Sequence, residues 1–211
     1  MSTGTWSVSL NPFTTSTVVT EDPSRQCINY MRIDGKPVKA ARLFLGQEYK
    51  EQTAALARHF GVGKEYHKTV SFNYDTYRKI VDDFEPRFHF GALTGIVSAT
   101  ETRIPDHSYA YPYHQLMVEL VRLQAESICT AMGETVPRKL FIDGGFSDNA
   151  VYVKLLSHHF LELSVRTTDS SLGSALGAAI VISDKTLNSK FLKQNYGLRK
   201  HQPFIIIETI T

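Results

Sequence analysis

Polar and apolar positions alternate near the start of the chain. Trp6, Val8 and Leu10 interleave with Ser7 and Ser9, a two-residue period that predicts a half-buried β-strand. Asn11-Pro12 ends it. A second β-rich run, Thr17 to Thr20, stops at Glu21-Asp22-Pro23, and a third, Ile28 to Ile33, meets the hairpin signal Asp34-Gly35 and heads towards Val38. These runs predict an antiparallel meander. The period then lengthens to that of a helix over Arg42 to Phe60, with Leu45, Tyr49, Leu56 and Phe60 on one stripe and Gly61 as its stop. From Val62 to Tyr111 no firm period emerges, apart from a short helical stretch from Tyr74 to Phe84 closed by Pro86. This stretch reads as an insertion or lid-like excursion. Pro112 to Met132 is the clearest helix, opened by proline and followed by Gly133, with Tyr113, Leu116, Met117, Leu120, Val121 and Ile128 facing a core.

The second half alternates strand and helix: a strand from Lys139 to Phe146, a helix from Asp148 to Phe160, a strand near Leu163 to Thr167, and a buried helix over Ser171 to Ile182. The glycines and alanines of that last helix, among them Gly173 and Gly177, allow close approach to a neighbour. Alternating strands and helices imply parallel pairing.

Candidate chemistry concentrates at the corner Asp143-Gly144-Gly145, between a strand and a helix start. Glycines there let backbone approach a ligand, and the helix start offers unpaired N–H groups to an anion. The corner is either a nucleotide seat or an ordinary strand–turn–helix connection.

Composition removes several other classes. The chain has 211 residues, 23 of them basic and 21 acidic, so no field gathers nucleic acid or an anionic membrane. Cys27 and Cys129 are far apart and form no disulfide framework or zinc motif. No apolar run reaches the roughly 18 residues of a membrane span, and the N-terminus carries no export pattern. A cytoplasmic protein with reduced thiols is expected. His158-His159 lies on a helix with no metal-ligand partner one turn away, which predicts surface or partly packed imidazoles.

Three motifs carry a resemblance. Ser2-Thr3-Gly4-Thr5-Trp6-Ser7, Asp143-Gly144-Gly145-Phe146-Ser147-Asp148-Asn149 and Ala175-Leu176-Gly177-Ala178-Ala179, in that order, resemble the C-terminal, nucleotide-binding half of an FGGY-family carbohydrate kinase. The opening is most similar to the rhamnulokinase and fuculokinase branch. The resemblance implies an α/β fold of the ribonuclease-H-like (actin/hexokinase) type, a mixed sheet flanked by helices, over residues 1–185, with residues 186–211 as an extension. It implies ATP and magnesium as partners of the chain. Thr3, Gly4 and Thr5 would form a phosphate-binding hairpin turn, Gly144 and Gly145 would let adenosine approach, and Asn149 would hydrogen-bond it. Gly46 and either Glu51 or Gln52 would be further, weaker contacts.

The same resemblance places the catalytic base and most of the sugar pocket in an N-terminal half that precedes the motifs here. Glu101, Asp106 and Asp148 are carboxylates that no spacing marks as a replacement base. The expected activity is phosphoryl transfer from ATP to a ketose or deoxyketose, absent from this chain alone. A non-catalytic nucleotide-binding module of the actin and heat-shock chaperone kind is the alternative. The chain also starts within the phosphate turn, so the strand that normally leads into it is expected to be absent. The β-favouring tail from Phe204 to Thr211 is a candidate to pair into the sheet, within the chain or across a homodimer.

Overall fold

The computed structural model describes residues 1–15, 27–93, 99–105, 108–168 and 197–204. The expected strand at Thr17 to Thr20, the Ser171 to Ile182 helix with its Ala175–Ala179 motif, Asp106 and the tail beyond Phe204 lie outside them. The described elements are β1 (Ser2–Thr3), β2 (Ser7–Asn11), β3 (Cys27–Met31), β4 (Pro37–Leu43), α1 (Leu45–His59), α2 (Tyr74–Asp82), α3 (Ala110–Met132), β5 (Lys139–Gly144), α4 (Ala150–His159), β6 (Ser164–Thr167) and β7 (Arg199–Lys200). They build one seven-stranded mixed sheet in the order β3-β4-β2-β1-β5-β6-β7. The β1/β5 and β5/β6 pairs are parallel, as the strand–helix alternation implies, and the others antiparallel.

The first half departs from a consecutive meander. β2 pairs with β4, from Ser7 opposite Leu43 to Asn11 opposite Lys39, and β3 lies outside β4 at the sheet edge. The Asp34-Gly35 turn does join β3 to β4: Gly35 has φ +77° and the Arg32 N–H donates to the Lys36 carbonyl. The strand leading into the phosphate turn is also present, as the two residues of β1. It sits in mid-sheet, with Ser2 opposite both Val8 and Asp143.

The face of β2 is inverted relative to its hydrophobicity. Ser7, Ser9 and Asn11 are buried, while Leu10 is 48% exposed. The physical reason is α3. Ser7 donates to Gln124 Oε1, and Gln124 Nε2 donates to Ser9 Oγ, so the buried hydroxyls and amide satisfy one another. Asn11 Nδ2 donates to the carbonyls of Ala131 and Met132 at the end of α3. A polar strand face is buried because a polar helix stripe answers it.

α3 is otherwise the apolar axis of the core. Tyr113, Leu116, Met117 and Leu120 are fully buried on it, together with Ile142 of β5 and Tyr152 and Leu156 of α4. Each such side chain contributes roughly 1.5–3 kcal/mol. The segment between α1 and α3 is part of this core and not an excursion from it: Ile80, Phe88, Phe90 and Leu93 are buried in the same cluster. Side chains of the two helices hold its irregular backbone. Glu119 accepts from the N–H groups of Arg87 and Phe88, Glu48 accepts from Ala92 N, and Gln52 donates to the His89 carbonyl. Among the described residues, no helix is long and apolar enough to cross a membrane.

At the far edge β7 pairs with β6, Arg166 opposite Lys200. Phe204 then packs into an aromatic box, stacked on His158 at 3.7 Å between ring centroids and against Phe72, Tyr74 and Tyr77. His158 is therefore a packed residue, and burial pulls its pKa down.

Candidate functional site

The β1–β2 hairpin turn, Gly4 to Trp6, is clamped from both sides by glycines. On one side Gly144, φ +91°, ends β5 so closely that a Cβ would come within 1.9 Å of the Thr3 carbonyl oxygen. On the other, a Cβ at Gly46 in the first turn of α1 would come within 1.9 Å of the Gly4 carbonyl oxygen. Only glycine allows either approach. Hydrogen bonds complete the clamp. Gly145 N donates to Thr3 O at 2.8 Å, and Gly46 N donates to Thr5 O at 3.1 Å. No side chain caps α1, so the Thr5 carbonyl takes one of the N–H groups that its first turn leaves open.

Thr3 joins the hairpin to the corner. Its hydroxyl donates to the Asp143 carbonyl at 2.6 Å and accepts from Phe146 N at 3.1 Å. The side chain is buried. The hydroxyl's proton and one of its two lone pairs are therefore spent within the fold.

A cavity of about 550 Å³ opens in front of this clamp, within the size range of small-molecule sites. The hairpin contributes Gly4 and Thr5, the corner Gly145, Phe146, Asp148 and Asn149, and α1 Gly46, Gln47, Tyr49 and Lys50. His67, Lys68, Val70 and Phe72 from the segment after α1, and Tyr113 of α3, close the remaining wall. Gly4, Thr5, Gly145 and Asn149 thus line one cavity. Thr3 and Gly144 lie behind its wall. Gly46 lines it as well, whereas Gln52 is turned to His89, and Gln47, which also lines the cavity, is hydrogen-bonded to Glu51.

Asn149 is the N-cap of α4, its Oδ1 accepting from Tyr152 N at 3.0 Å. Its Nδ2 donates to Tyr113 Oη at 2.9 Å and Tyr49 Oη at 3.2 Å, and the two hydroxyls are 3.2 Å apart. Both N–H groups of the amide are therefore engaged within the fold. Burial raises the pKa of Tyr49, with Tyr113 adding to the effect, and burial raises that of Tyr113. Both remain neutral phenols. His67 stacks on Tyr113 and meets Tyr49 edge-on, so this side of the cavity is aromatic. Sequence reasoning placed Tyr49 and Tyr113 on core-facing stripes; their hydroxyls carry no periodic signal that distinguishes cavity from core.

Asp148 lines the cavity and pairs with Arg199 at 3.2 Å. The described residues hold no cluster of His, Cys, Asp or Glu able to bind a metal ion by itself.

No family model and no curated protein sequence matches the chain. Solved structures do. A carbohydrate kinase from Novosphingobium aromaticivorans superposes with TM-score 0.65 at 16% identity, over 96% of this chain and 41% of that one. A glycerol kinase from Plasmodium falciparum, solved with ADP, gives TM-score 0.53 at 15% identity over 85% and 37%. A xylulose kinase from Rhodospirillum rubrum gives 0.50 at 17% over 96% and 42%. These likenesses establish the fold, the actin/hexokinase-like mixed sheet of the sugar kinases. The chain spans about two fifths of the length of these kinases.

Proposed function

We propose that the chain is the nucleotide-binding half of an ATP-dependent sugar kinase of the FGGY type, and that its cavity takes the nucleotide. The observation that carries this reading is the convergence of Gly4, Thr5 and Gly145 on one cavity, through a clamp that requires glycine at positions 46 and 144. The hairpin turn at Thr5 and the start of α4 face the phosphates, supplying N–H donors to anionic oxygens, while the Gly4 N–H closes the turn on the Trp6 carbonyl. The aromatic side around Tyr49, His67 and Tyr113 faces the base. Magnesium would enter with the phosphates and neutralise their charge, and Asp148, the carboxylate that lines the cavity and pairs with Arg199, is the residue that would help hold it.

In this reading the acceptor is a ketose or deoxyketose such as rhamnulose or fuculose. Its pocket and the general base that phosphoryl transfer needs belong to a second half that completes the cleft. Calorimetric titration of the purified chain with ADP and magnesium tests the proposal. Saturable one-to-one binding, with no phosphorylation of a ketose panel until an N-terminal half is added, is expected. Absence of heat at millimolar nucleotide refutes the nucleotide site, and turnover by the chain alone refutes the half-site reading.

A further inference from the structure

We infer that the paired hydroxyls of Tyr49 and Tyr113, rather than an N–H of Asn149, supply the donor that reads the nucleobase in this cavity, and that Asn149 is the positioning residue that aims them. The inference rests on the nucleotide reading and goes further by naming which groups select the base.

A count of hydrogens carries it. The orientation of the Asn149 amide is fixed, since Oδ1 must be the atom that accepts from Tyr152 N. Nδ2 then has two N–H groups, and it has two acceptors at bonding distance, Tyr113 Oη at 2.9 Å and Tyr49 Oη at 3.2 Å. No N–H of the amide remains for a ligand acceptor, and Oδ1 keeps one lone pair. The two phenols carry one proton each. With the oxygens 3.2 Å apart, one hydroxyl donates to the other. Whichever does so, the second proton has no acceptor within the cluster. Both tyrosines line the cavity, so the cavity is where its acceptor must come from.

The surroundings define that acceptor. The two tyrosines meet the rings of His67 and Phe146, an aromatic side of the cavity that penalises a phosphate and suits a flat ring, while Lys50 and Lys68 line it elsewhere. A purine fits, because its ring nitrogens are in-plane acceptors set in a stacking surface. Water fills the role when no ligand is bound; a ligand without an acceptor there leaves a buried O–H unpaired, which is a net loss of affinity.

The test is calorimetric titration of the full chain with ADP and with ADP analogues in which a single ring nitrogen is replaced by carbon. For the wild type, one analogue is expected to bind about tenfold more weakly than ADP and the others nearly as well. The double variant Y49F/Y113F is expected to bind ADP about tenfold more weakly and to lose the discrimination between ADP and that analogue. N149S keeps the oxygen that caps α4 but drops the amide, and is expected to weaken ADP binding while leaving the urea midpoint near that of the wild type. Equal affinity of the wild type for ADP and every analogue overturns the inference without recourse to any variant. So does undiminished ADP binding by a folded double variant. Failure of the wild type to bind ADP at all overturns the nucleotide reading itself, and this inference with it.

Discussion

Replacing Thr3 by valine keeps the shape of the side chain and removes one hydroxyl, the group that joins the β1–β2 hairpin to the Asp143-Gly144-Gly145 corner. That hydroxyl makes two bonds, to Asp143 O at 2.6 Å and from Phe146 N at 3.1 Å, in a side chain that is 3% exposed. A buried N–H left unpaired costs roughly 1–3 kcal/mol, and the lost bond to the carbonyl about 1 kcal/mol more. Valine's strand preference returns a few tenths of a kcal/mol at most. The net expectation for Thr3→Val is a loss of about 2–4 kcal/mol, a large share of the stability of a domain. With a slope of about 2 kcal/mol per molar urea, the unfolding midpoint should fall by about 1–2 M. Thr3→Ser keeps the hydroxyl and should lose only about 1 kcal/mol, for the missing methyl. Equilibrium urea unfolding followed by circular dichroism reads both. A Thr3→Val protein within about 0.5 kcal/mol of the wild type would refute the reasoning, since its bonds would then be worth no more than solvent contacts.

Gly46→Ala separates clash from propensity. In an open helix position alanine stabilises by up to about 1 kcal/mol, but here its Cβ meets hairpin backbone, so a lower thermal midpoint and at least tenfold weaker ADP binding are expected. His114 is held neutral, its Nε2 accepting from Asn73 N and its Nδ1 bonded to the Ala110 carbonyl, and burial depresses its pKa below the ordinary 6.5. A depressed pKa gives stability that is complete above the unfolded value and lost as pH falls through it towards the folded one. Urea midpoints should therefore drop on acidification below about pH 6.5, more steeply in the wild type than in His114→Gln; parallel slopes would assign the loss to His158, His159 and His201, which shift in the same direction. Phe204→Ala empties the aromatic box and should cost about 1–2 kcal/mol, with faster proteolytic release of the C-terminal segment as the readout.

The helices were legible because each has a long apolar stripe and a stop. α1, α2 and α4 fall inside the ranges read from the sequence and α3 starts two residues before Pro112, while Arg42 belongs to β4. Strand placement was less legible, for two physical reasons. β1 is too short to show a period, yet backbone pairing on both sides makes it central. β2 buries its serines, because Gln124 and the end of α3 satisfy them, and no pattern rule anticipates a partner over a hundred residues away. The stretch after α1 lacked a period because Glu48, Gln52, Gln115 and Glu119 hold its backbone by side-chain bonds, which leave no repeat in the sequence. At the candidate site, residues of the two motifs, Gly4, Thr5, Gly145 and Asn149, come together on one cavity. The sequence could not show that the Thr3 hydroxyl proton and both Asn149 N–H groups are spent inside the fold, nor that two tyrosines reach the cavity.

The central claim is that the hairpin turn and the double-glycine corner hold one nucleotide between them. Backbone amide chemical shifts of the isotopically labelled chain, followed through a titration with ADP and magnesium, test it most directly. The account predicts that Gly4, Thr5 and Gly145 move together along one saturation curve while the β3–β4 hairpin around Gly35 stays still. Nucleotide-dependent shifts that avoid those three amides, or none at all, would contradict it.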